Sequence, residues 1–321
     1  MNYLLLPLTS DLSPLTSPLA ATLWARFWSV PCYRYGLSAG IALALVCGLL
    51  SVFVVSRRMA FIGEGISHSA FGGAGLWYLL ALVLPFMRGD LVRDLVVGLF
   101  CIATAVIIGR MAWRGHVSED SAIGIALVAG MALGVLFVDL RSGLYAAMRA
   151  RGAVPEGVVA RVPFEDLLFG NIVYVTATDL WWAGGLAAVV LLAAALFFKE
   201  LIFFAFDSEG ATVFGVPAQA IHYSLLVVLA ATIMIAMRML GVILASAFLV
   251  LPGTIAFRWS HRMWPVVAIS MAAAAASVFV GLFLSILTNF TVGPVVVMTL
   301  CAFLAASHLI NRLRQRARRA A

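Results

Sequence analysis

GLSAGIALALVCGLLSVFVVSRRMAFIGEGISHSAFGGAGLWYLLALVLPF, residues 36–86, holds two apolar runs separated by a short charged turn. The first, residues 36–55, carries no Asp, Glu, Lys, Arg or His. It has the length of about 20 residues that a helix needs to cross a bilayer. The second, residues 68–86, has nearly the same length and opens on His68, and between the two stand Arg57, Arg58 and Glu64. Lipid offers a backbone no hydrogen-bond partners, so successive runs of this kind read as membrane-spanning helices joined by a tight turn.

The remainder of the chain extends the pattern. Of its 321 residues 64% are hydrophobic and 11% charged, and the mean hydropathy is +1.09. Soluble domains are about half apolar, so a soluble enzyme or soluble binding module is excluded and an all-α, polytopic bundle is expected. Further candidate spans are 91–110, 121–139, 180–198, 223–240, 242–257, 264–287 and 293–310, which brings the number to nine. Residues 15–30 are weaker and amphipathic, and read either as a tenth span or as an interfacial helix. The division expected is an N-terminal segment 1–30, a transmembrane domain 31–311 and a basic tail 312–321. The N-terminus lacks a basic start and an unbroken apolar stretch, so it does not read as a signal peptide.

A net charge of +7 in a soluble chain would point to nucleic acid. Here the basic residues cluster at the ends of apolar runs, where they mark topology and meet lipid headgroups, and no nucleic-acid partner is expected. With the tail placed in the cytoplasm, Arg57, Arg58, Arg110, Arg114, Lys199, Arg258 and Arg262 fall on the same side. The segment 140–179 opposes this bias with Arg141, Arg149, Arg151 and Arg161 on the outside, so the assignment rests on parity as much as on charge. That outer loop ends in a semi-polar stretch too short to span and is expected to hold a re-entrant or interfacial helix. Segment 199–222 is expected to form a short amphipathic helix on the cytoplasmic side, bracketed by Asp207 and the break from Gly215 to Pro217. The four cysteines form no CxxC pair and read as buried apolar residues.

Ionisable residues inside a membrane cost about 2.5–3.5 kcal/mol each on insertion scales, which makes them candidates for function. A helix starting near Phe61 places Glu64 and His68 four apart on one face. A carboxylate and an imidazole suit zinc, manganese or iron, with Ser67 and Ser69 as weaker donors, and two ligands hold an ion loosely enough to release it. An ordinary structural role stands beside this reading, with Glu64 paired to Arg57 or Arg58 and His68 bound to a carbonyl. His116, His222, His261 and His308 read as solvated or interfacial, and Arg238 as a snorkelling residue near a helix end. Pro252, followed by Gly253, removes a helical hydrogen bond, giving either a plain kink or carbonyls that line a pathway. No HExxH, Cys/His cluster or P-loop occurs, so neither metal-dependent catalysis nor ATP hydrolysis by a P-loop is expected of this chain.

Four blocks taken together, FVVSRRMAFIGEGISHSAFGGAG, LLFGNIVYVTATDL, the long run from FAFDSEGATVFGVPAQAIHYS to LVLPGTIAFR, and TVGPVVVM, resemble in order and spacing the membrane permeases of bacterial ABC importers for zinc, manganese and iron. The likeness covers roughly residues 30–310. It implies a multi-pass inner-membrane subunit with a cytoplasmic C-terminus and a fold similar to the cobalamin-importer permeases. The implied partners are cytoplasmic ATPase subunits, an extracytoplasmic metal-binding protein and a second permease copy or paralogue. No cofactor is expected to stay bound, since the metal ion is cargo and ATP is used by the partner. Carried over by position, Glu64 and His68 become transient metal contacts, with Glu64 where many relatives have Asp. The segment Asp207 to Val216, including Glu209, Gly210, Ala211, Phe214 and Gly215, becomes the coupling element. The competing expectation is a secondary transporter or channel driven by an ion gradient without an ATPase. It needs intramembrane acids, and besides Glu64 only Asp139 and Asp179 near the outer boundary offer themselves.

Overall fold

The computed structural model describes residues 31–115, 117–152, 176–288 and 290–320. The N-terminal segment 1–30, His116 and the part of the outer loop from 153 to 175 lie outside the described residues, as do the side chains of Glu209 and Ala211. Among the described residues there are eleven α-helices and no strand. In chain order they are α1 (Pro31–Ser56), α2 (Ile62–Val83), α3 (Asp90–Trp113), α4 (Glu119–Ala150), α5 (Ala177–Leu196), α6 (Phe198–Phe206), α7 (Ser208–Val213), α8 (Ala218–Leu240), α9 (Val242–Phe257), α10 (Met263–Thr288) and α11 (Val292–Ala320). Eight of these are long and apolar enough to cross a membrane; α9, a ninth candidate in the sequence, has 16 residues and is shorter than the rest.

Helix α1 is the buried post of the bundle, with α5, α9 and α10 packed around it. Its apolar residues Leu43, Val46, Val52 and Phe53 are all but inaccessible, which a helix apolar on every side achieves only when surrounded. Ser270 of α10 donates its hydroxyl to the Gly48 carbonyl of α1 at 2.6 Å. The Gly253 N–H of α9, next to Pro252, donates to Ser51 Oγ at 2.8 Å. A Cβ on Gly253 would stand 2.7 Å from the Ser51 carbonyl oxygen, so only glycine lets the two backbones meet here.

A second packing unit joins α2, α3 and α4. Helices α2 and α4 run in the same direction, with Gly65 against Ile123, Gly72 against Gly130 and Gly75 against Gly134. In lipid no hydrophobic force pulls helices together, and a stripe of small residues substitutes close van der Waals contact for it.

Polar contacts sort the helix ends into two sets. At one end Arg57 pairs with Glu119, Trp113 meets His222, Phe198 meets Trp264, and Arg258 meets His308. The basic residues expected on one side of the membrane therefore share one end of the bundle. At the opposite end Trp77 Nε1 donates to the Met87 carbonyl at 2.7 Å, and Arg238 binds Asp94 and Asp179. Helix α4 runs on to Ala150 where the sequence pattern suggested a span ending at 139, because Arg141 is buried between Tyr78 and Tyr145 instead of lying in a loop.

Candidate metal pathway and coupling surface

The turn between α1 and α2 sets the geometry of the candidate site. Helix α1 ends with Arg58 N–H on the Val55 carbonyl and Met59 N–H on the Val54 carbonyl, a Schellman motif with Arg58 in the left-handed position at φ 60°. Glycine ordinarily sits there, and a side chain costs about 1–2 kcal/mol. The apolar pair that closes such a motif is present, Met59 and Val54 being 1% and 0% exposed. Chain direction then reverses, and α2 starts at Ile62 with Glu64 in its first turn, where the positive end of the helix dipole favours a carboxylate.

Within α2 the Glu64 and His68 side chains do converge, Nε2 lying 3.1 Å from Oε2. Both are partly accessible, at 37% for Glu64 and 20% for His68. With a neutral ring, Nε2–H donates to the carboxylate and the buried Nδ1 is left without a partner. A divalent cation lying between Oε2 and Nε2 would replace that hydrogen bond, the ring proton passing to Nδ1. The ring also stacks on Phe71 with centroids 5.8 Å apart. Because Gly65 lies opposite Ile123, near the start of α4, the pair sits roughly 5–10 Å, one to two turns, inside the Arg57 end of the bundle.

Two expectations for this neighbourhood change. Glu64 does not pair with Arg57, which binds Glu119 at 3.2 Å. Ser67 and Ser69 are fully buried and donate to the carbonyls of Glu64 and Ile66, so their hydroxyls are turned away from the pair. Ser246 of α9 stands against this turn of α2, beside Gly63, a neighbour that no local spacing announces, and its own hydroxyl donates to the Ile243 carbonyl at 3.1 Å. Among the described residues no three His, Cys, Asp or Glu side chains gather, so one copy of the chain offers a cation two strong donors and no closed cage.

His222 and Arg238 also depart from the sequence reading. His222, expected in a solvated loop, is 2% exposed in the first turn of α8, ringed by Trp113, Phe204 and Tyr223. Arg238 does not snorkel alone but bridges Asp94 of α3 and Asp179 of α5, the latter at 3.0 Å. This ion triad borders a cleft of about 660 Å³ with Tyr78, Trp182 and Met234 in its walls. The cleft is at the end opposite Glu64 and His68.

Segment 199–222 holds the expected short helix between Asp207 and Gly215, α7, and a further one, α6, ahead of it. Helix α6 ends at Asp207, whose carboxylate caps α7 by accepting the Gly210 N–H at 2.8 Å. A Cβ on Gly210 would collide with that carboxylate. Gly215 closes the unit at φ 80°, a backbone state that glycine adopts without strain. Phe204 and Ala205 anchor α6 in the core, while Phe206, Val213 and Phe214 are 63%, 84% and 78% exposed. These three exposed apolar side chains make the patch a candidate interaction surface.

Fold and site together define a multi-pass membrane protein with a polar pair inside its bundle and an exposed apolar patch at one end. The ABC 3 transport family matches over residues 30–311, and the chain belongs to it: it is the membrane subunit of an ABC transporter and not an enzyme, ATP hydrolysis residing in a separate subunit. It is 29% identical over 278 residues to the manganese transport system membrane protein MntC of Halalkalibacterium halodurans, covering 87% of each chain. To the chelated iron transport system membrane protein YfeD of Yersinia pestis it is 26% identical, covering 89% of this chain and 88% of that one. Among solved structures, PsaBC from Streptococcus pneumoniae in complex with Fab matches with a TM-score of 0.71 at 26% identity, over 90% of this chain and 95% of that one.

Proposed function

We propose that this chain is the permease subunit of an ATP-driven importer that moves a divalent transition-metal cation, zinc, manganese or iron, across the bacterial cytoplasmic membrane by alternating access. The Glu64–His68 pair at 3.1 Å carries the reading, since it sets two borderline-hard donors on a partly open helix face inside an otherwise apolar bundle. Relatives named for manganese and for chelated iron support a metal as cargo without choosing one. Two donors bind an ion weakly, and a second permease copy facing the first would supply two more to a shared path. Pro252 and Gly253 serve this path indirectly, as the point where α9 packs on α1.

The segment Asp207 to Val216 is the surface for the ATPase subunit, and the basic end that carries it, together with the C-terminus, faces the cytoplasm. The opposite end then receives the ion from an extracytoplasmic metal-binding protein. Uptake of radioactive manganese and zinc by cells lacking their own importers tests the assignment. Glu64→Ala and His68→Ala are expected to abolish uptake while the protein remains in the membrane, and normal uptake by both variants would refute the pathway.

A further inference from the structure

Arg57 lies where four parts of the molecule meet. Its guanidinium donates to Glu119, the first residue of α4, and its central carbon stands 4.6 Å from the centre of the Phe204 ring on α6. Phe204 is 1% exposed and also faces His222 of α8, with ring centroids 6.0 Å apart. The preceding residue of α6, Phe203, meets Phe214, which closes α7, at 5.8 Å. A displacement of the exposed α7 unit therefore reaches Phe203 and, through the rigid helix that carries both rings, the face of Phe204 on which Arg57 rests.

From Arg57 to the metal pair the backbone has little slack. Met59 N–H is held by the Val54 carbonyl, Ile62 N–H by Met59 and Gly65 N–H by Phe61, each at 3.0 Å. Met59 and Ile62 are buried, and Arg58 occupies the left-handed region. A backbone held in this costly state persists only where its surroundings over-determine it. Glu64 follows within the first turn of α2. The Arg57–Glu119 pair also fastens this turn to α4, the helix along which α2 lies in glycine-lined contact.

We infer that Arg57 is the positioning residue through which the α6–α7 unit sets the placement of Glu64 and His68, joining the ATPase-facing surface to the cation path. The inference rests on the function proposed above. It assigns Arg57 no contact with the ion. The guanidinium suits the task because it can pair with a carboxylate in its plane while presenting its face to an aromatic ring, which an ammonium cannot do with fixed orientation.

The test uses the full complex of permease and ATPase in proteoliposomes, with manganese(II) and zinc(II) as probes, and reads the number of cations moved per ATP hydrolysed. Arg57→Gln is expected to lower that ratio about fivefold or more, while the ATPase subunit still copurifies and still hydrolyses ATP. Phe204→Leu, which keeps apolar bulk and removes the ring face, is expected to lower it in the same direction. The double variant should be no worse than Arg57→Gln alone, and Arg57→Lys should restore part of the loss. An unchanged ratio in both single variants, or fully additive losses in the double, overturns the inference. If Arg57→Gln fails to insert, Phe204→Leu alone decides by the same ratio. Failure of the underlying function is read separately, as normal uptake by Glu64→Ala and His68→Ala.

Discussion

Gly134 of α4 rests against Gly75 of α2 so closely that a Cβ on Gly75 would stand 2.7 Å from the Gly134 carbonyl oxygen. One turn earlier in α4, a Cβ on Gly130 would stand equally close to the Ser69 Cα. The neighbouring atoms are backbone and cannot swing away. Gly75→Leu or Gly134→Leu is expected to push the helices apart and to destabilise the subunit by about 1–3 kcal/mol, read as a lowered melting temperature in detergent. Gly184 and Gly185 of α5 are surrounded by open space, where an added Cβ would meet nothing within 4 Å, so substituting either should leave the melt nearly unchanged.

Arg238 holds α8 to α3 and α5 through two carboxylates, and the Asp179 side chain is 13% exposed. Removing this cation leaves Asp94 with Arg93 at 3.2 Å and Asp179 with only the Thr176 cap of its own helix, and unties α8 from both. Arg238→Gln is expected to destabilise the protein by about 1 kcal/mol or more. Adding salt should narrow the gap to the wild type, because mobile ions screen the partly exposed charges. Thermal melts at low and high ionic strength check both parts.

Val213 and Phe214 are mostly exposed and contribute little to the core. Val213→Asp and Phe214→Asp should therefore change the melting temperature of the isolated subunit by no more than the equivalent of about 0.5 kcal/mol. Retention of the ATPase subunit in detergent pull-downs should nevertheless be lost. Normal retention by both would remove this surface from the coupling role.

Glu64→Gln preserves the shape of the side chain but removes the charge that a divalent cation requires. Cation binding and uptake are expected to fall about tenfold or more, on the scale seen when partners of metal ligands are deleted. Glu64→Asp keeps the charge on a shorter arm, so it should retain transport and shift the preference among manganese, zinc and iron. Competition between the metals for uptake measures the shift.

What was legible in the sequence follows from how locally each property is encoded. A run of about 20 apolar residues is a spanning helix wherever it lies, so eight of the nine spans could be read off the chain and the ninth differs only in length. The spacing of four between Glu64 and His68 fixes their shared face once a helix is granted, and Asp207 and Gly215 announce a capped, glycine-ended unit by their own chemistry. The separate helix α6 ahead of that unit escaped the pattern, because its apolar residues follow directly on those of the span α5.

Contacts between distant parts of the chain were a matter for the tertiary structure alone. Arg57 and Glu119 are 62 positions apart and Arg238 and Asp94 are 144 apart, the latter pair forming although Asp94 also binds the adjacent Arg93. His222 reads as an exposed loop residue until α3 and α6 are folded around it. In a bundle apolar on almost every helix face, hydropathy does not tell a core side from a lipid side. The choice is made by small residues that admit a neighbouring backbone and by the few polar groups that must find partners out of water. Sequence alone determined that this chain is a membrane bundle with a Glu–His pair at the head of its second span, because helix formation and side-chain spacing are local. Only the assembled helices decided which charges close the two ends and which helices surround that pair, because those pairings depend on which backbones can approach.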